Sequence, residues 1–240
     1  MNRPVAIIGA MDIEIQAFRD AIADLREERR GTFLYYLGRM FGKDVVLVKS
    51  GVGKVLSAIT CQKLVDDFAP SHILMTGVAG ALKDDLKVGD IVIGKDYIQH
   101  DVDAQALGLE RGFIPDTSKK EFEGDPMLVA KAENTPPTGH RLVSGRILSG
   151  DQFLSEEETL SRKYLFADMH GDAIDMECAA VAQVCNVNRI PFLGTKTICS
   201  ELHGNQEEQY RKSLGLVVNN SLSIIKSVLK NLSGTNNLRG

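Results

Sequence analysis

The stretch Ala173-Ile174-Asp175-Met176-Glu177-Cys178-Ala179-Ala180 is the strand-to-helix junction around which the chain is organised. A short apolar run ends in an acid, a Met and a Glu, and small residues then open a helix that carries Val181, Val184 and Cys185. A strand passing directly into a helix is the building unit of an α/β sheet. The junction also sets Glu177 in the first helical turn, where free backbone N–H groups and the helix dipole favour a carboxylate. Two readings of Glu177 stand at this point: an ordinary helix-start charge, or an ion kept in an apolar setting for its chemistry.

Outward from this junction the same alternation continues. Arg141 to Leu148 reads as a strand ending at Ser149-Gly150-Asp151, and a charged helix is expected near Glu156 to Phe166. On the other side, Pro191 to Ile198 makes a strand, and one long C-terminal helix carries Leu214, Val218, Leu222, Ile225, Leu229 and Leu232 on a single stripe. Near the start, Val5 to Ile8 is a buried strand, and Gly9-Ala10-Met11 turns into a helix with Ile15, Phe18, Ile22 and Leu25 at helical spacing. Arg26 to Arg30 is expected to be its solvated end. Strands around Phe33 to Gly38 and Val45 to Lys49 follow, joined at Phe41-Gly42-Lys43-Asp44. A helix then carries Leu56, Thr60, Leu64 and Phe68, and His72 to Thr76 is a strand broken by Gly77-Val78-Ala79-Gly80. Gly89 to Gly94 is a further strand. From about Asp101 to Pro137 the pattern weakens around a short helix at Pro126 to Glu133, as in functional loops. The expectation is one α/β domain over residues 1–233, three layers (α/β/α) with a central mixed sheet, and a disordered tail at 234–240.

Composition narrows the function. The chain has 240 residues, 43% of them apolar, enough for a substantial core. No run approaches the ~18 apolar residues of a membrane span. Val5 to Gly9 is too short for a secretory signal, so the mature protein is expected to start near Met1. Cys61, Cys178, Cys185 and Cys199 form no C-x-x-C pair and sit in apolar contexts, which reads as reduced core thiols in a cytoplasm. The five histidines lack metal-ligand spacing, and neither a metal nor a cofactor is expected. A net charge of −4 argues against nucleic acid as a partner. Small molecules and further copies of the chain remain.

Glycine-rich turns follow several strands: Gly9-Ala10, Gly51-Val52-Gly53-Lys54 and Gly77-Val78-Ala79-Gly80. In open α/β sheets ligands sit beyond the carboxyl ends of strands, so these turns are placed to line one crevice. None has a dinucleotide or P-loop form, and tight strand-to-helix turns alone account for each singly.

Taken in order, Gly9-Ala10-Met11-Asp12-Ile13-Glu14, Lys49-Ser50-Gly51-Val52-Gly53-Lys54, Thr76-Gly77-Val78-Ala79-Gly80, Lys87-Val88-Gly89-Asp90-Ile91-Val92, His100-Asp101-Val102-Asp103, Ser149-Gly150-Asp151-Gln152-Phe153 and Asp175-Met176-Glu177 resemble the motif series of the 5′-methylthioadenosine/S-adenosylhomocysteine nucleosidases, of the purine nucleoside phosphorylase superfamily. The resemblance runs from about Val5 to Leu229. It implies a nucleoside phosphorylase-like fold and hydrolysis of an N-glycosidic bond, with Glu14 as the base that activates water and Glu177 holding the ribose hydroxyls. The chemistry agrees: positive charge builds on the ribose as the bond breaks, and a nearby carboxylate stabilises it, while a second, partly desolvated carboxylate accepts a proton from water. By the same resemblance Met11 and Met176 pack on the ribose, Val78 and Gly80 lie near the water, Phe153 stacks on the purine and backbone groups of Leu154 read its edge. Val52, Asp175, Cys199 and Tyr210 complete the expected binding set. Ala104 and Leu107 are expected to reach across a homodimer interface and cover the 5′ substituent.

One position departs from the pattern. Where the family shows Arg-x-x-Ser-Asp, its Asp being the acid that protonates N7 of the leaving base, this chain reads Lys196-Thr197-Ile198-Cys199-Ser200, then Glu201. Without gaps Ser200 takes the Asp position; a one-residue bulge puts Glu201 there instead. A serine hydroxyl does not deliver a proton at neutral pH, and losing a general acid costs about 10²–10⁴-fold in rate. Three readings stay open: a nucleosidase using Glu201, a slow nucleosidase, and a site that binds without cleaving. Candidate substrates are 5′-methylthioadenosine, S-adenosylhomocysteine or a 6-amino-futalosine-type nucleoside. Phosphorolysis competes, but Gly9-Ala10-Met11 offers no cation for phosphate and Glu14 repels an anion.

Overall fold

The computed structural model describes residues 3–136 and 139–232, so the tail expected at 234–240 lies outside the described residues. In chain order the elements are β1 (Val5–Gly9), α1 (Asp12–Asp20), β2 (Ala23–Arg30), β3 (Phe33–Met40), β4 (Lys43–Lys49), α2 (Lys54–Phe68), β5 (His72–Ala81), β6 (Ile91–Gln99), β7 (Glu121–Glu123), α3 (Pro126–Glu133), β8 (Leu142–Ser149), α4 (Glu156–Ser161), α5 (Tyr164–Ala167), β9 (Ala173–Asp175), α6 (Cys178–Asn188), β10 (Phe192–Ser200), α7 (Gln206–Val217) and α8 (Asn220–Asn231). A single 3₁₀ turn covers Gln105–Leu107.

Alternate residues of the central strands point to opposite faces, and both faces are covered. Ala6, Ile8, Val46, Val48, Ile73 and Met75 pack with Cys61 and Leu64 of α2 and Val181 and Cys185 of α6. Val5, Ile7, Val45, Leu47 and Leu74 pack on the other side with Ile15 and Phe18 of α1, Leu128 of α3, and Ile224 and Val228 of α8. The three-layer arrangement with a mixed central sheet is thus formed.

Strands β4, β1, β5 and β10 run parallel in that order. The sheet then curls: β10 also pairs antiparallel with β6, β6 runs parallel to β8, β8 to β9, and β9 returns antiparallel to β5. Five strands therefore close on themselves, while β1, β4, β3 and β2 extend from β5 as an open wing. The buried Tyr97 hydroxyl stitches the closure, donating to Gly94 O at 3.0 Å and accepting from Gly194 N at 2.6 Å. The carboxyl ends of β1, β4 and β10 and the second half of β5 converge with β9 on one side, and that convergence forms the site.

Four expectations change. Arg26 to Arg30 is not a helix end: α1 stops at Asp20, and Ala23–Arg30 is an edge strand antiparallel to β3, with Leu25 exposed. A strand at the edge needs no apolar face of its own, and its charges discourage pairing with another chain. The glycine run does not break β5, because β10 and β9 flank it and supply backbone partners as far as Gly80 and Ala81. The charged helix near Glu156 to Phe166 divides into α4 and α5. The long C-terminal helix also divides, between Val217 and Asn220; α7 lies on β10, where Ser213 Oγ donates to Cys199 O, and the buried side of α8 joins the layer of α1 and α3.

Candidate active site

Glu14 is the third residue of α1 and reaches back to the start of its own helix. Its Oε2 accepts from Ala10 N at 2.7 Å and Met11 N at 2.9 Å, and its Oε1 accepts from Val78 N at 3.0 Å. The bond from Met11 N is one half of a capping box; the one from Val78 N ties α1 to β5. A carboxylate has about four acceptor positions, and three are used by fixed backbone donors. The remaining position, on Oε1, is left for a ligand in the pocket that Glu14 lines.

Glu177 is the residue just before α6 and does not cap it. That task falls to Asp175, which accepts from Cys178 N at 3.0 Å, and to Ser149 Oγ, which accepts from Ala179 N at 2.8 Å. Glu177 instead reaches across to the start of α2, where its Oε1 accepts from Gly53 N at 3.0 Å. Of the two readings of this residue, the ordinary helix-start charge does not hold: Glu177 makes no cap bond and is 5% exposed.

Between these groups lies Lys196, fully buried in β10. Its Nζ is 3.0 Å from Asp175 Oδ2 and 3.4 Å from Glu177 Oε2. Burial would lower the lysine's pKa, but Asp175, Cys178, Glu177 and Glu14 together hold it well above its ordinary value. Burial likewise pushes Asp175 up, and Lys196, the Ser149 hydroxyl and Cys178 N–H outweigh it, so Asp175 ends low. Glu177 ends high, because burial and the neighbouring Asp175 exceed what Lys196 and Gly53 N–H recover.

The space for this cluster is made by Gly77, which pairs with Lys196 across β5 and β10. A Cβ there would sit 2.6 Å from Glu14 Oε1 and 2.9 Å from Lys196 Nζ, and the backbone φ of +152° is one glycine tolerates best.

The other wall is aromatic. Phe153 and Tyr210 meet edge to face with centroids 5.5 Å apart, and the Tyr210 hydroxyl contacts Met11 Sδ at 3.4 Å. Ser200 faces Gly80 with its Oγ 3.3 Å from where a Cβ would be. Pairing of β10 with β5 slips by one residue at Cys199, so a bulge does occur at this point. The Cys199 thiol donates to Ala79 O, and burial pushes its pKa to about 12. Past Ser200 the chain leaves the sheet, and the Glu201 carboxylate pairs with Lys87 Nζ at 2.8 Å.

Of the residues singled out in the sequence, Met11, Glu14, Val52, Val78, Gly80, Phe153 and Leu154 line this one pocket, and so do Asp175, Met176, Glu177, Cys199, Ser200, Glu201 and Tyr210. Ala104 and Leu107 do not; they lie in the loop after β6, Leu107 being 78% exposed. Lys196 and Gln206 were not foreseen as site residues. A single charge inside the otherwise uncharged run Phe192 to Ser200 was the available signal for the first. The His-Asp and Gly-Asp motifs brace the rim: Lys54 Nζ pairs with Asp101 Oδ1 at 2.6 Å, Asp101 Oδ2 accepts from Asp151 N, and Asp151 Oδ1 accepts from Lys54 N.

A curled mixed sheet between helical layers, with a carboxylate-floored pocket at its strand ends, defines a protein of the phosphorylase superfamily, whose family model matches residues 4–230. The 5′-methylthioadenosine/S-adenosylhomocysteine nucleosidase of Staphylococcus haemolyticus is 35% identical over 228 residues, covering 94% of this chain and 99% of that protein. The Neisseria meningitidis nucleosidase of the same description, solved with methylthio-immucillin-A, superposes with a TM-score of 0.90 at 32% identity, covering 96% of this chain and 100% of that one. Futalosine hydrolase of Helicobacter pylori gives 0.88 at 29% identity, covering 95% and 97%. Within the superfamily, the chain belongs to the 5′-methylthioadenosine/S-adenosylhomocysteine nucleosidase family.

Gly77→Ala is expected to lower unfolding stability by about 1–3 kcal/mol through overlap and backbone strain. Urea denaturation measures it, and an unchanged midpoint would show that the cluster has slack there.

Proposed function

We propose that the chain, acting as one catalytic unit over residues 1–233, hydrolyses the N-glycosidic bond of an adenine nucleoside such as 5′-methylthioadenosine or S-adenosylhomocysteine, releasing adenine and the 5′-substituted ribose. The observation that carries this reading is the pocket floor, where Glu14 and Glu177 sit with one cation, Lys196, already shared with Asp175. Three carboxylates against one lysine suit the growing positive charge of an oxocarbenium-like ribose. The same balance repels inorganic phosphate and favours water as the nucleophile.

In this reading the open position on Glu14 Oε1 takes the proton of the attacking water, beside Val78 and Gly80. Glu177 accepts from the ribose hydroxyls, Met11 and Met176 pack on the sugar, and Val52, Asp175 and Cys199 shape the surroundings. Phe153 and Tyr210 enclose the purine, with backbone groups of Leu154 on its edge. Ser200 hydrogen-bonds N7, and Glu201 stays with Lys87, so the base leaves with hydrogen-bond help and no carboxylic acid. Adenine release measured with and without phosphate tests the reaction, and strict phosphate dependence would sink it. Ser200→Asp is expected to raise the rate by about 10²-fold or more. Glu201→Gln is expected to stay within about threefold, as for loss of a part-exposed ion pair; a collapse on Glu201→Gln would make Glu201 the acid.

The pH dependence follows from Glu177, which must be ionised to face the ribose cation. Because its pKa is raised above the ordinary 4.5, activity should fail on acidification at a higher pH than an ordinary glutamate would give. Asp175, shifted the other way, stays ionised through that range. The acid limb of kcat/KM reports this, and a limb at or below the ordinary value contradicts it.

A homodimer completes the proposal. Val55, Leu56 and Ile59 of α2 are 66%, 52% and 52% exposed, and they continue from Val52 at the pocket rim. They form apolar surface suited to a second copy, whose exposed Leu107, with Ala104, would cover the 5′ substituent. The four free, buried cysteines fit a cytoplasmic setting. Light scattering is expected to give the dimer mass; a monomer at micromolar concentration removes the shared pocket.

A further inference from the structure

Gln206 is the first residue of α7, 8% exposed, and part of the pocket wall. It stands one helical turn before Tyr210, so the two project from the same face of α7. Its Nε2 donates to Leu202 O at 2.8 Å and lies 3.4 Å from Glu201 O. Carbonyl oxygens only accept, so the amide nitrogen must be the end that faces them; the flipped amide would set three acceptors against one another. The orientation of the group is therefore fixed by chemistry. The other end of the amide, Oε1, accepts from no donor among the described residues, and the side chain stands where the pocket meets the neighbouring groove of Phe153, Ser155 and Glu156.

The location of that acceptor matters. The carbonyls that hold Gln206 belong to the two residues directly after Ser200, the residue read above as the partner of N7. On a purine, N7 and the substituent at the 6-position share one edge. A group anchored beside Ser200 is thus beside the 6-substituent, and the group it presents accepts hydrogen bonds.

We propose that Gln206 selects the base, accepting from the exocyclic amine of a 6-aminopurine and rejecting a 6-oxopurine, whose own oxygen would face Oε1. This rests on the reading of the pocket as a purine nucleoside site. It gives the pocket a base discriminator where the family's usual acid is replaced by Ser200.

The test uses the whole protein and three substrates that differ only at the 6-position: 5′-methylthioadenosine, its 6-oxo counterpart and its 6-unsubstituted counterpart. For the wild type, kcat/KM is expected to favour the amino substrate by about 10²-fold over the oxo substrate, since a site built to hydrogen-bond a group rejects the analogue that cannot. In Gln206→Leu the preference over both counterparts should shrink at least about tenfold, with the loss concentrated on the amino substrate. A purely structural role would lower all three together and leave the ratios alone; ratios unchanged within about twofold overturn the proposal. The 6-unsubstituted compound probes the same contact in the unmutated protein, so a poorly folded variant does not end the test. If the wild type turns over none of the three, calorimetric binding of adenine and hypoxanthine replaces the rates. Adenine preferred by the wild type but not by Gln206→Leu supports the proposal while the hydrolysis reading fails, and no preference in the wild type overturns it.

Discussion

A buried lysine holds the pocket together. Removing Lys196 from water costs several kcal/mol unless it is paired, and the pairing here comes from two carboxylates on one short segment, Asp175 and Glu177. That demand explains several other features. β9 must deliver both acids to the same side of β10, Ser149 and Cys178 N must hold Asp175, and Gly77 must stay without a side chain. The curled sheet is what lets β9 and β10 both flank β5 closely enough for these groups to meet. With Lys196 nearer Asp175 than Glu177, Asp175 ends low and Glu177 high, so two neighbouring acids on one pocket wall differ in how readily they ionise.

Much of this was legible in the sequence, and the failures have physical causes. The helix Pro126–Glu133 was read to the residue because its signals are local: Asp125 accepts from Met127 N and Leu128 N, and Pro126 opens the first turn. Most of the pocket residues came together because the ends of β1, β4 and β10 and the second half of β5 meet β9, which runs the opposite way and brings Asp175 and Glu177 to the same place. Ala23–Arg30 misled because charge alternation on an edge strand resembles a solvated helix, and only pairing with β3 decides it. The Gly77 to Gly80 run misled for the opposite reason. Its glycines looked like a break, whereas at least Gly77 is demanded by side chains arriving from α1 and β10, which no local pattern reveals. Lys196 went unseen because its partners lie about twenty residues away at Asp175 and Glu177, and a charged strand residue is ordinarily a solvent-facing one.

The bulge at Cys199 shows how a sequence register and a side-chain position can separate. The slip re-aims the end of β10, leaving Ser200 against Gly80 inside the pocket and sending Glu201 toward Lys87 at the rim. Both residues the sequence offered for one role therefore touch the same pocket, in different surroundings.

Helix α2 begins at the N–H that Glu177 accepts from, and it carries Val55, Leu56 and Ile59 outward within its first two turns. It is thus a short, stiff rod with a carboxylate at one end and a greasy flank. Whatever settles against that flank therefore lies within two helical turns of the backbone N–H that holds Glu177, so surface and pocket floor share one element.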